Sequence, residues 1–274
     1  MKRFLLIACI MLASTLFTTW AQERQRYEIQ VGDFNKMYVA DDLNVVYRCN
    51  ADSAGMAVII STPKEKQALL FRNKYSTLIV QMSTDYALSS HTMPPITIYS
   101  SKISKIENSA DSTVYVDGVT LSTPLELKLT DNGTIVARDI SITELNAKVI
   151  TGKGLIELSG KCDKASLRCT GTGKIKANNL IATNVTCMIL GTGSISCYVN
   201  GGELVTKGSG PGRVYFDGTP SEIKSRHIGR LKTIPYKEEE VEESPADSTL
   251  IIPENSTVKP ETGLDNDTID FNEI

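Results

Sequence analysis

The stretch TGTGKIKA at residues 170–177 is answered 20 residues later by LGTGSISC at residues 190–197. In both, a Gly-Thr-Gly is followed at once by an alternation of apolar and polar residues. Aligning on the second glycine extends the series to Ser112, Gly133, Gly154, Gly173, Gly193 and Gly212, spaced 19 to 21 residues apart. Two residues after each anchor stand Val114, Ile135, Ile156, Ile175, Ile195 and Val214, all β-branched. Two further on stand Val116, Ala137, Leu158, Ala177, Cys197 and Phe216. Residues i and i+2 of a strand share a face, so these are two columns on one side of a repeated strand.

A matching set precedes the turn in several repeats: Leu125, Leu127 and Leu129; Leu145, Ala147 and Val149; Ala165, Leu167 and Cys169; Val185, Cys187 and Ile189. One repeat therefore reads as strand, tight glycine turn, strand, looser connection. A meander of hairpins could use this unit, but like residues recurring at like positions favour a β-solenoid of roughly 20-residue coils, in which equivalent positions stack. The turn glycines are Gly133, Gly152, Gly154, Gly171, Gly173, Gly191, Gly193, Gly210 and Gly212. They are expected wherever the corner needs a positive φ or leaves no room for a Cβ. Asp131-Asn132-Gly133 takes the place of Gly-x-Gly in one coil, and Asn and Asp tolerate such geometry.

Ahead of the repeat, the segments NKMYVA, LNVVYRC, MAVIIST, STLIVQM and PITIYSS, all before about residue 105, have strand length and strand composition. Lys64 to Phe71 is the one helical candidate, with Thr62 as cap and Pro63 in the first position.

The ends differ from the middle. Residues 1–21 have two early positive charges, an apolar run and a small residue at Ala21, the pattern of a cleaved secretory signal peptide. The run LIAC ending at Cys9 looks like a lipoprotein box but lies too near the start, so lipidation of Cys9 is not expected. No other stretch is apolar and long enough for a bilayer-spanning helix. Residues 237–274 carry 12 acidic and 2 basic residues, are rich in Pro, Ser and Thr, and read as a disordered tail. The remainder has 27 basic against 20 acidic residues, a net of +7 inside a chain of net −3. Such a body tolerates anionic surfaces or glycans, although most charge of this kind serves solubility. The organisation expected is signal peptide 1–21, a strand-rich N-terminal part of the solenoid domain at 22–106, the glycine repeat at 107–236, and the tail at 237–274.

Beyond Cys9, five cysteines remain: Cys49, Cys162, Cys169, Cys187 and Cys197. Most occupy apolar columns, so buried thiols are expected, with one bridge among them left open. The only histidines, His91 and His227, are far apart and no Cys-x-x-Cys occurs, so no metal site is expected. Nucleophile elbow, phosphate loop and dinucleotide fingerprint are all missing. Asp111, Asp131, Asp139, Asp163 and Asp217 fall at five different offsets from their turns and form no acidic ladder. Neither a catalytic residue nor a cofactor is expected.

The repeats TGKGLIELSG, TGTGKIKANN and LGTGSISCYV, the segment FNKMYVADDLNVVYRC and the entry MPPITIYSSKISKIENSADSTVYV resemble the putative auto-transporter adhesin "head GIN" domain family, over roughly residues 34–234. The resemblance implies an all-β, right-handed parallel β-helix-like solenoid, exported by a Gram-negative bacterium, with adhesion as its proposed role. It supplies no catalytic residues.

Together these readings suggest a non-enzymatic adhesin or envelope-surface binding protein in the periplasm, on the outer membrane or outside the cell. It would make many weak contacts from outward residues such as Lys174, Lys176 and Thr186 to a glycan or a host or cell-surface protein, with no nucleic-acid partner, and an oligomer is compatible with this. The alternatives are a carbohydrate-active enzyme on the same fold, and a structural envelope protein whose acidic tail binds a partner. Asp-Ser-Thr and Asp-Thr-Ile motifs mark Ser248 and Thr268 as candidate O-glycosylation sites. The Asn-x-Thr matches at Asn132 and Asn184 lie inside the repeat and carry less weight.

Overall fold

Val114, Ile135, Ile156, Ile175, Ile195 and Val214 lie opposite one another in successive parallel pairings, and every one is buried. Uniform β-branched residues in a parallel stack fill the same hole in each layer, about 4.8 Å apart. The result is a β-solenoid of about seven turns. The structure is a computed structural model that describes residues 23–87 and 92–236. The expected signal peptide with Cys9, the acidic tail with Ser248 and Thr268, and His91 lie outside the described residues. All the described residues fall in one compact unit that ends at Tyr236.

The N-terminal strands are β1 (Gln25–Gln30), β2 (Lys36–Val39), β3 (Val45–Cys49) and β4 (Met56–Ser61). After helix α1 (Pro63–Ala68) come β5 (Leu69–Lys74), β6 (Thr77–Met82), the single turn α2 (Thr84–Ala87) and β7 (Ile96–Ser100). Next are β8 (Lys105–Asn108) and β9 (Thr113–Asp117). β2 pairs in parallel with β6 on one side and β8 on the other, and β3 likewise with β7 and β9. The coil made first thus becomes the filling between two coils made later. Antiparallel pairing of β4 with β7 and β1, and of β5 with β6, extends the sheets beyond β6 and β7 at the N-terminal end of the stack. The expected boundary between residues 106 and 107 falls inside β8, so the N-terminal strands and the glycine repeat share one stack.

The helix is shorter than its sequence suggests. Thr62 accepts the Glu65 N–H at 3.3 Å and donates its own N–H to Glu65 Oε2 at 2.7 Å, a reciprocal cap with Pro63 in the first turn. It ends at Ala68 rather than Phe71, because Leu69 and Phe71 are taken into β5 opposite Met82 and Val80. Strand pairing and core burial outweigh the modest helix preference of three residues.

Downstream, β10 (Thr120–Leu121) and β11 (Leu125–Leu129) lead into three long strands, β12 (Thr134–Val149), β13 (Leu155–Gly171) and β14 (Lys174–Gly191). The connection expected to be loose is instead a pair of bends inside one continuous strand. Along β12 the inward-facing residues come in three buried groups: Ile135 and Ala137, then Ile140 and Ile142, then Leu145, Ala147 and Val149; Val136 is buried as well but faces outward. We call these the first, second and third faces of the coil. The register shifts between Ala137 and Ile140 where Asp139 takes φ 52°, so a bulge turns the chain between the first and second faces.

The glycine corner separates the third face from the next coil's first face, and its two glycines serve different needs. Gly152 has φ 75°, which a side chain resists. Gly154 has an ordinary φ, but a Cβ there would meet the Asp131 carbonyl oxygen at 2.6 Å. The coil before it uses Asp131, at φ 80°, in the first role and Gly133 in the second. Asn132 is engaged at such a corner, accepting the backbone N–H of Lys153 at 3.0 Å, and Asn184, at the bend between the second and third faces, accepts that of Glu203 at 3.1 Å.

The stack finishes with β15 (Ser194–Asn200), β16 (Glu203–Ser209), β17 (Arg213–Thr219), β18 (Glu222–Ile228) and β19 (Lys232–Pro235). The third-face column that runs Leu127, Ala147, Leu167, Cys187 turns polar at Thr206 and Ser225. Buried Thr206 Oγ1 lies 2.9 Å from Ser225 Oγ and 3.0 Å from Thr233 Oγ1. Hydroxyls bonded across the coil make part of the last layer polar where it meets water, as a terminal solenoid repeat requires, while Ile223 and Ile228 of β18 remain exposed.

Candidate functional site

Outward residues on the first face repeat as regularly as the inward ones. One column runs Thr113, Thr134, Leu155, Lys174, Ser194, Arg213, Lys232, and the column two residues along runs Tyr115, Val136, Glu157, Lys176, Ser196, Tyr215, Ile234. Each first-column residue from Thr134 onward donates its N–H to the carbonyl of the anchor residue one coil earlier. For Lys174, Arg213 and Lys232 the acceptors are Gly154 at 2.9 Å, Gly193 at 3.2 Å and Gly212 at 3.2 Å. These side chains therefore stand on a fixed backbone ladder.

At the bend between the first and second faces, three successive coils enclose an open groove of about 390 Å³. Its polar wall consists of Arg138, Glu157, Ser159, Lys176, Asn178 and Asn179, over a floor that includes buried Val136. The groove arises from sequence irregularity. Glu157 pairs with Lys176 and Ser159 with Asn179, so β14 carries one more residue than β13 across the bend. An extra residue re-aims its neighbours, and here it turns Asn178 and Asn179 outward side by side. Asn178 Oδ1 accepts from Ser196 Oγ at 3.3 Å, while Asn178 Nδ2 donates to Asn179 Oδ1 at 3.2 Å. Lys176 and Glu157 form an ion pair at 3.0 Å, and the Arg138 guanidinium lies 6.0 Å from the centre of the Tyr115 ring. Amides, a hydroxyl, an ion pair and a nearby ring suit reversible binding of a polar ligand. A smaller groove on the second face includes Lys161, Asp163, Thr183 and Asn200.

The structure brings Lys174 and Lys176 together on the first face. Thr186 lies elsewhere, half-buried on the third face between Ser166 and Val205. That face is electrically closed toward its N-terminal end. Glu107 holds Lys128 at 2.7 Å and Lys105 at 3.1 Å, and Glu126 holds Lys148 at 3.2 Å. Burial raises the Glu107 pKa, but the two ammonium groups outweigh it and hold the carboxyl below its ordinary value. Reading outward columns as well as inward ones would have found Arg213 and Lys232. Arg138, Asn178 and Asn179 had no such signal, because a bulge places them.

All five cysteines described are free thiols, and only Cys49 is not buried. Cys187 and Cys197 come nearest one another, with Sγ atoms 3.9 Å apart. Burial pushes Cys162 up to about 12 and Cys169 up to about 11. The hydrogen bond with Cys197, together with burial, raises Cys187 as well. Among the described residues no group of three His, Cys, Asp or Glu side chains is placed to hold a metal ion. His227 is exposed on β18. No helix among the described residues is long and apolar enough to cross a membrane.

The fold recurs in solved structures. A putative adhesin from Bacteroides fragilis superposes with a TM-score of 0.67 at 20% identity, covering 79% of this chain and 98% of the other. A putative lipid binding protein from Parabacteroides distasonis gives 0.60 at 20% identity, and a putative adhesin from Parabacteroides merdae gives 0.60 at 17%, each with the same coverage. At these identities the likeness is one of fold. No curated protein matches the chain. Residues 33–220 match the family described as putative auto-transporter adhesin, head GIN domain, and the chain belongs to that family.

Proposed function

We propose that this chain is an exported, non-catalytic surface-binding protein whose binding surface is the outer side of the first face and its groove. Membership of a putative adhesin family and the solenoid fold support an adhesin-like role. The observation that carries the location is the pair of outward columns. They present Lys174, Lys176, Ser196, Arg213 and Tyr215 from consecutive coils on one hydrogen-bonded ladder. Identical spacing lets an extended ligand make a weak contact at each successive coil, and linked weak contacts multiply into avidity without any deep pocket.

The test is an array of glycans and host-matrix proteins probed with the full chain. Saturable binding to at least one class is expected. A blank array, together with no binding to intact cells, contradicts the proposal. Turnover of a bound polysaccharide would replace it with the enzyme reading.

A further inference from the structure

Charge on the first face is distributed unlike charge at the N-terminal end of the third, and its cations stand beside hydroxyl and ring groups. On the third face, Lys105, Lys128 and Lys148 are each within 4 Å of Glu107 or Glu126, so its N-terminal end neutralises itself, whereas Arg168, Lys207 and Arg226 further along that face have no carboxylate within ion-pair distance among the described residues. On the first face, Lys174, Arg213 and Lys232 are exposed, and among the described residues no carboxylate lies within ion-pair distance of any of them. They occupy one column, with Ser194 between Lys174 and Arg213 and none between Arg213 and Lys232. At about 4.8 Å per coil the three cations span roughly 14 Å, with a step of roughly 10 Å followed by one of roughly 5 Å. The neighbouring column supplies hydroxyl and ring groups from Ser196 and Tyr215.

We propose that this column binds an extended acidic polysaccharide, with its carboxylates or sulfates on Lys174, Arg213 and Lys232 and its sugar rings over Ser196 and Tyr215. The inference rests on the surface-binding reading above and gives it a ligand class. Charge complementarity selects an anion. Extended shape follows from a straight column without a deep cavity. The choice of a polysaccharide follows from the mixed lining, since hydroxyls beside cations match sugar hydroxyls beside acidic groups, and alternate sugars of such a chain carry charge at about the longer spacing. Like-charged neighbours on a rigid ladder also repel one another when unoccupied, which an anion relieves.

The experiment titrates the full chain with three probes: hyaluronan oligosaccharides, neutral dextran oligosaccharides of equal length, and a single-stranded oligodeoxynucleotide of equal net charge. Hyaluronan is expected to bind, dextran not, and the nucleotide more weakly than hyaluronan. The variant K174A/R213A/K232A should lose about tenfold or more of the hyaluronan affinity, the scale of three exposed charge contacts. Raising salt should weaken the natural chain more than the variant. All three substitutions lie on the solvent side, and an unchanged melting temperature confirms that the variant folds. Equal binding of dextran, equal or tighter binding of the nucleotide, or unchanged hyaluronan binding by the folded variant overturns the inference. If no probe binds while the array still yields a saturable ligand, this inference fails and the surface-binding reading stands. A blank array as well defeats both.

Discussion

A Cβ placed on Gly133 would lie 2.0 Å from the carbonyl oxygen of Ala110 in the preceding coil. The coils approach so closely at this corner that the obstacle is backbone, which no rotamer change relieves. Gly133→Ala should therefore lower unfolding free energy by about 2–3 kcal/mol, the range of overpacking in a rigid site. Gly118 makes the control. It has φ 62° with nothing within 4 Å of its absent Cβ, so Gly118→Ala should lose only the left-handed backbone term, about 1 kcal/mol. Urea unfolding of both variants measures the difference.

The hydroxyl cluster at the last coil gives a second prediction. Thr206→Val keeps the shape but leaves Ser225 and Thr233 without the partner they share. A loss of about 1–3 kcal/mol is expected, and amide exchange should quicken first in β18 and β19. Thr206→Ser, which retains the hydroxyl, should lose less.

Glu107 makes the third face sensitive to pH. Its folded pKa is depressed below an unfolded value near 4.3, so its contribution is complete above about pH 5. That contribution is lost as pH falls from there through the lower folded pKa. Glu107→Gln should flatten the stability profile in this acid window and change little near neutrality beyond removal of the Lys128 and Lys105 pairs. Thermal melts from pH 3 to 7 at two salt concentrations read both effects.

The thiols should divide by burial. At pH 8 an alkylating reagent is expected to modify Cys49 in the native chain well before Cys162, Cys169, Cys187 and Cys197, because the thiolate is the reactive form and these four are buried. Mass spectrometry before and after denaturation counts the labelled sites. Native labelling of Cys187 at the rate of Cys49 would contradict the packing described.

Much of the fold is legible in the sequence because stacking demands the same residue type at the same place in each coil. Ile135, Ile156, Ile175 and Ile195 are a register written in one-dimensional form. The bends inside β12 to β14 were not legible, since a bulge at Asp139 or Asn178 adds one residue without altering composition. The termination of α1 at Ala68 was hidden for another reason: Leu69 and Phe71 satisfy helix and strand patterns equally, and only pairing with β6 decides between them. The site was half legible. Lys174 and Lys176 stand beside the most visible turn, whereas Arg213 and Lys232 follow turns whose flanking residues differ more, and Thr186 belongs to another face.

The most direct test of the account compares charge reversal on two faces of the full chain. Arg138→Glu with Lys174→Glu alters the first face, and Lys148→Glu alters the ion-paired N-terminal end of the third face. Each variant is checked for folding by its thermal melt, then measured against whichever ligand the natural chain binds on the array. Loss of binding in the first-face variant, with binding retained in the third-face variant, is the predicted result. Unchanged binding in a folded first-face variant would contradict the placement of function on that face.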